Sequence, residues 1–500
     1  MLWLLVLTLA AVALVYQYLT LKLSYWENKS VPYIKPQLPF GNIEGIGRKI
    51  HSSQLMRNFY NEMKGKGPFG GIYFFIKPVA LALDLDFVKN VLIKDFAYFH
   101  DRGVYFNERD DPLSAHLFSL EGTKWKHLRS RLTPTFTLTK MKFMFPTIVE
   151  VAGEFQKCLS DMVNDSNELE VQDILARFTT DVIGTCAFGI NCNSLKDSNS
   201  EFRLKGKKVF EVGRQRAIKQ MFMSSFRDLA RSLRMKLLHD DVSTFFMNIV
   251  EETVKYREEN NVKRNDFMDL LIQLKNSGYI DGDNVGQVTL QEIAAQAFVF
   301  FLAGFETSST TMAYCLYELS LSQDIQSRAR KEIDDVLTKY NGEFTYDAMK
   351  EMHYVNQIIN ESLRKYPPGA GIIRAVTKDY AVPGTNHLLS KGTLVWIPVY
   401  AIHHDPDIYP DPDVFDPDRF HPEEVQRRHS QSFLAFGQGP RNCIGLHFGM
   451  LQTRIGLVTL IRNFEITTCA KTVVPLKFST RKFVLSPEGG LWLRLKKIER

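Results

Sequence analysis

The chain has 500 residues, a 45% hydrophobic and 24% charged composition and a formal net charge of +6. This is the make-up of a globular protein with a large core and not of a disordered one. The positive excess is spread thinly: there are no dense Lys/Arg runs interleaved with aromatics, so no nucleic-acid partner is expected, while an acidic protein or an anionic membrane surface is compatible with it.

The first element is "MLWLLVLTLAAVALVYQYLTL", residues 1–21, which carries no charge before Lys22. At about 1.5 Å per residue, a helix of that length reaches roughly 32 Å, enough to cross a bilayer core. No basic segment precedes it and no small-residue cleavage site ends it, which favours a retained anchor over a signal peptide. Lys22, Lys29 and Lys35 follow the apolar stretch. By the positive-inside rule they leave the rest of the chain cytoplasmic. Pro32, Pro36 and Pro39 then make residues 22–42 a basic, proline-rich hinge, and residues 43–500 read as one domain without repeats or linkers.

Within that domain "GGIYFFI" and "VALALD" read as strands, residues 85 to 365 read mostly as helix, and "GTLVWIPVY" returns to strand. The most distinct helix starts at a capping box of Thr289 with Glu292 and is apolar on nearly every face, which marks a buried core helix. The Asp/Pro-rich run "HHDPDIYPDPDVFDPDRFHPEE" reads as coil. It leads into "FGQGPRNCIG", after which helical spacing resumes, so Cys443 is expected just before a helix start, where its thiolate is favoured. The six cysteines contain no CxxC pair, which argues against a zinc site or a dithiol motif and for a reducing compartment.

The pattern formed by Phe436, Gly439, Arg441, Cys443 and Gly445 should arise by chance in about one chain of this size in ten thousand. It resembles the haem-binding loop of the cytochrome P450 superfamily, the haem-thiolate monooxygenases. Glycines let backbone pass close to a flat macrocycle, a cation neutralises a propionate, and a thiolate ligand pushes electron density toward iron. In "AGFETS", Ala303 and Thr307 stand one helical turn apart, so that the Thr307 hydroxyl can bond the Ala303 carbonyl, and Gly304 leaves a gap beside them. The match is to the family's oxygen-binding groove, which implies that Thr307 hydrogen-bonds dioxygen and Glu306 relays protons. "ESLR" matches the family's buried pair, Glu361 with Arg364, joined by Arg419 of "FDPDRF" in a structural triad beneath the haem.

The same resemblance assigns Trp125, Arg129, Arg374 and Arg441, with Arg102 as a further candidate, to the haem propionates. "FHDRGVYFNERDDPLSAHLFSLEGTKWKHLRSRLTPTFT", followed by "LTKMKFMF", is similar to the insect microsomal family six enzymes, and in order with the other motifs it covers essentially the whole chain. It implies a mainly α fold with small β-sheets, a single haem b domain at the cytoplasmic face of the endoplasmic reticulum membrane, and electrons from NADPH through an FAD/FMN reductase, NADPH-cytochrome P450 reductase, with cytochrome b5 as a second donor. The implied substrates are lipophilic: plant toxins, insecticides and endogenous lipids or hormones. By position in the family the pocket should draw on Phe106, Phe118, Phe298, Phe301, Ile372, Ile373, Val484 and Leu485. Two small glycines in "PPGAG", Gly369 and Gly371, depart from bulkier relatives. A haem-thiolate isomerase or dehydratase, and a haem protein that binds ligands without turnover, are the alternatives to a monooxygenase.

Overall fold

The computed structural model describes residues 2–210, 214–264, 266–280, 283–284, 286–482 and 484–499. The apolar stretch forms α1 (Leu2–Leu23), with Lys22 in its last turn. The chain beyond it does not hang free. Trp26 is fully buried, its backbone N–H donates to the Tyr73 hydroxyl at 2.9 Å, and its indole N–H donates to Ile72 O at 3.0 Å. Pro32 O accepts from the Gly71 amide at 2.7 Å, and Ile34 donates to Gly71 O at 3.0 Å. Trp26, Pro32 and Ile34 therefore fasten this segment to the body, and among its prolines Pro32 completes a hydrogen bond at the strand's edge.

That strand is β1 (Phe69–Phe74), antiparallel to β2 (Lys77–Ala82). With β3 (Glu168–Glu170), β4 (Ile372–Ala375), β5 (Leu394–Ile397), β6 (Phe464–Thr467) and β7 (Trp492–Lys497), the strands form two small sheets, ordered β1-β2-β5-β4 and β6-β7-β3. Strand character in "GTLVWIPVY" stops at Ile397, because Pro398 takes the chain into a short helix, Val399–His403. The Asp/Pro-rich run is irregular as far as Asp416 and then closes into single turns at Pro417–Phe420 and Pro422–Arg427, each with proline at its start.

The helices that shape the interior are α2 (Gly122–Leu132), α3 (Leu138–Asp165), α4 (Val171–Ile183), α5 (Glu201–Phe210), α6 (Asp240–Glu259), α7 (Leu290–Leu321), α8 (His353–Lys365) and α9 (Leu446–Asn463). Thr289 caps α7: its side chain accepts from the Glu292 amide, and Glu292 returns a bond to the Thr289 amide. From Ile293 to Ser320 the helix is largely buried, as a helix apolar all round must be. One apolar core gathers α3, α4, α7, α8 and α9, and a second lies under the larger sheet. The result is a mainly α single domain with small sheets.

Candidate active site

The loop Phe436–Gly445 is shaped by glycines with left-handed backbone. Gly437 has φ +68 and Gly439 φ +73, and a Cβ on Gly439 would stand 1.9 Å from the Leu92 carbonyl oxygen. No other residue fits there. The turn closes where the Cys443 amide donates to Phe436 O at 2.8 Å, and Gly445 caps α9. Cys443 is exposed although protein surrounds it, and Ala303 is exposed in the middle of the buried α7. Both are accessible positions beside otherwise buried segments, which points to a cavity between the cysteine loop and the Ala303 face of α7. Burial pushes the Cys443 thiol up, with the Gly445 backbone and the Arg129 and Arg102 guanidinium groups only pulling it back. In the polypeptide chain alone, burial thus opposes the effect of the helix start.

Four guanidinium groups gather above the cysteine. Arg129 donates to Asn442 O at 3.0 Å and Asn442 Oδ1 at 2.9 Å. Arg102 donates to Phe118 O at 2.9 Å and Arg441 O at 3.3 Å. Arg441 donates to Leu120 O at 2.7 Å, lies 4.1 Å over the Trp125 ring and is 3.8 Å from Asp101. Among the described residues, the side chain of fully buried Arg374 bonds only its neighbour's carbonyl, Ile373 O, at 2.9 Å, and the Nε atoms of both Arg374 and Arg441 have no partner. Burial lowers Arg374 to about 10, and burial with the neighbouring Arg374 lowers Arg441 to about 9. Among the described residues, Asp101 and Glu121 are the carboxylates that act on Arg441, two against four guanidinium groups, so the donor set is short of negative charge. A planar group with two carboxylates and an acceptor site for a sulfur ligand fits it, and haem is such a group.

On the opposite wall, Thr307 Oγ1 donates to Ala303 O at 2.5 Å. Glu306 is half-buried, and burial holds its carboxyl above the usual range, against the pull of Lys482, Lys207 and Arg203. Gly304 has a different reason from the gap expected of it: a Cβ there would stand 2.3 Å from Ile183 Cδ1, so the glycine lets α4 approach α7. In the core, Arg364 clasps Glu361 through Nε at 2.7 Å and Nη2 at 2.8 Å, and Arg419 Nε stands 3.5 Å from Glu361 Oε1.

A family model for cytochrome P450 matches residues 32–494. The chain belongs to the cytochrome P450 family. This P450 is similar to family six members of insects along nearly its whole length. It is 48% identical over 487 residues to the probable cytochrome P450 6a14 of Drosophila melanogaster, covering 95% of this chain and 96% of that one. It is 48% identical over 483 residues to cytochrome P450 6a2 of the same fly, covering 95% and 96%. With cytochrome P450 6A1 of Musca domestica it shares 45% over 480 residues, covering 95% and 94%. Membership makes the chain a haem-dependent cytochrome P450 monooxygenase.

The P450 does not bring all the expected pocket residues to the cavity. Phe298 and Phe301 are sealed into an aromatic cluster: Phe298 meets Phe246 at 5.0 Å, and Phe301 meets Phe202 and stacks on Phe305, each at 4.7 Å. They turn toward α5 and α6, away from the Ala303 face, and belong to the core. Val484 and Leu485 are likewise buried, with Leu485 O held by the Tyr314 hydroxyl at 3.0 Å. Ile372 shares the Arg374 face of β4 and lies beside Gly437, whereas Ile373 points to the other side of the strand. Phe118 is exposed, with the Arg102 guanidinium 4.0 Å over its ring, and Phe106 is half-buried under Arg231 at 5.0 Å. Residues that the sequence reading passed over stand nearer the site. Val299, one turn before Ala303, shares its face, and Gln452 and Thr179 reach the α7 backbone at Gly304 and Phe305. The one available signal was a polar side chain inside an apolar helical run.

Proposed function

We propose that this P450 is a membrane-anchored monooxygenase of lipophilic compounds, xenobiotics foremost, that draws electrons from NADPH through an FAD/FMN reductase, with cytochrome b5 as a second donor. The observation that carries the reading is the accessible Cys443 in its glycine-shaped loop, together with the accessible Ala303 on α7 whose carbonyl holds the Thr307 hydroxyl. Haem bound there, held by Cys443 and by Arg102, Trp125, Arg129, Arg374 and Arg441, supplies the activation of dioxygen. The protein's own share is to hold and move protons. The Thr307 hydroxyl, kept in place by Ala303 O, can donate at the cavity wall, and the Glu306 carboxyl, whose hold on its proton burial strengthens, is a proton source beside it. An isomerase or dehydratase has no use for such a pair. Glu361, Arg364 and Arg419 have a structural role.

The apolar side chains that reach the cavity, Val299 and Ile372 among them, suit an apolar substrate. Trp3–Leu23 is long and apolar enough to cross a membrane and its most apolar stretch is exposed throughout, which supports an anchor in the endoplasmic reticulum with the body at the cytoplasmic face. For the reductase, exposed Lys126 and the cations Lys124, Arg427 and Arg428 offer opposite charge, although Lys124 and Arg427 already pair with Glu108 and Glu424. The test is the spectrum of the reduced, carbon monoxide-bound protein in membranes. A strongly red-shifted Soret band, lost in Cys443→Ala, together with reductase-dependent NADPH consumption, is the expected result. Haem-loaded protein without that band would sink the reading.

A further inference from the structure

Three successive carbonyls of α7 each accept a hydrogen bond from a side chain, and only the first of those side chains belongs to α7. Ala303 O takes the Thr307 hydroxyl. Gly304 O takes Gln452 Nε2 of α9 at 2.7 Å. Phe305 O takes the Thr179 hydroxyl of α4 at 2.9 Å. The middle contact has the widest reach, because α9 begins three positions after Cys443 and carries Gln452 fully buried on its inner face.

Gln452 has both amide hydrogens used at one end and is bare at the other. Its Nε2 also donates to Ser308 Oγ at 2.6 Å, while its Oε1 is buried with no partner among the described residues. The orientation is forced: a carbonyl oxygen only accepts, so the reversed amide would set two acceptors against each other at Gly304. Burying an unsatisfied amide oxygen is unfavourable, and an apolar side chain of the same size would avoid it. What the apolar side chain could not do is hold Gly304 O.

We propose that Gln452 is a positioning residue for proton delivery. It fastens the helix that follows Cys443 to the Gly304 carbonyl and so sets where the adjoining Ala303 carbonyl, and the Thr307 hydroxyl bonded to it, stand relative to the sulfur. The inference rests on the monooxygenase reading. It predicts that removing the amide disturbs the use of electrons more than it disturbs haem or substrate binding.

The experiment uses the full chain with its reductase in membranes and 7-ethoxycoumarin as a lipophilic probe. In Gln452→Met, haem content and the thiolate carbon monoxide band should match the wild type, while product per NADPH falls about tenfold and hydrogen peroxide rises, a modest part of what positioned proton transfer contributes. In Gln452→Glu a neutral carboxyl can still donate to Gly304 O and a carboxylate cannot. Coupling relative to the wild type should therefore stand near one at low pH and decline as pH rises, a signature that lost packing would not give. Wild-type coupling in a haem-loaded Gln452→Met protein, or a pH-independent ratio for Gln452→Glu, overturns the inference alone. If Gln452→Met loses haem, the Gln452→Glu profile decides. A wild type without reductase-dependent NADPH consumption sinks the monooxygenase reading and this inference together.

Discussion

Arg364 holds Glu361 in a two-pronged grip at 2.7 and 2.8 Å with neither side chain exposed to solvent. Arg364 also donates to His403 O and Pro412 O, both at 2.8 Å, so one guanidinium ties α8 to the end of the short helix Val399–His403 and to the irregular run before the cysteine loop. Glu361→Ala leaves that cation buried and should cost about 3–5 kcal/mol. Thermal unfolding and haem content of the purified protein would both fall; unchanged values would refute a structural role.

Gly304→Ala brings a methyl against Ile183, 2.3 Å from its Cδ1. Overpacking of this kind costs about 1–3 kcal/mol. Ile183→Ala removes both colliding atoms, Cδ1 and Cγ1, so the double variant should be less destabilised than the sum of the two single variants. Additive destabilisation in a double-mutant cycle would show that the contact is not the cause.

Arg374 is a buried cation whose protein partners do not balance its charge. Arg374→Met should weaken haem retention, seen as faster transfer of haem to an apoprotein acceptor. In haem-free protein the same change should be neutral or stabilising by about 1–4 kcal/mol, since an uncompensated buried charge is removed. Opposite signs with and without haem are the result to look for.

Glu306 is held above the ordinary carboxylate range by burial. A proton donor with a raised value works below that value and fails above it, so product per NADPH should fall as pH climbs through it. Glu306→Gln should remove this limb. The linked stability follows the same sign: the folded state binds more protons than the unfolded one, so stability drops as pH rises from the unfolded value through the folded one, and the glutamine variant should lose that slope.

Thr307→Ala should keep haem and the thiolate spectrum yet divert reducing equivalents to peroxide. Thr307→Ser, which retains the hydroxyl, should restore most of the coupling. Equal product yield per NADPH in wild type and alanine variant would exclude the hydroxyl from proton delivery.

The parts of the site that could be read from sequence are those written in a few adjacent residues. The Cys443 loop, the Thr289 capping box and the Ala303–Thr307 spacing carry their geometry locally, because turns, caps and i,i+4 contacts depend on near neighbours. The reading of α7 beyond that failed for a physical reason. A helix apolar on every side has no phase, so Phe298 and Phe301 could not be told from Val299, and the aromatic partners that claim them lie on α5 and α6. Gly304 was similar: its constraint is Ile183, more than a hundred residues earlier in the chain. Position before a helix suggested a low thiol value at Cys443, but the desolvation that opposes it arises from packing that no local motif encodes.

Trp26 fills a slot that a side chain on Gly71 would block, a Cβ there standing 2.4 Å from the indole, and it lies only three residues past the end of α1. A rotation of the body about that junction would have to pull an indole from the core. The apolar helix is thus a mast set in a socket, not a tether: whatever tilt its surroundings impose is passed to the folded body.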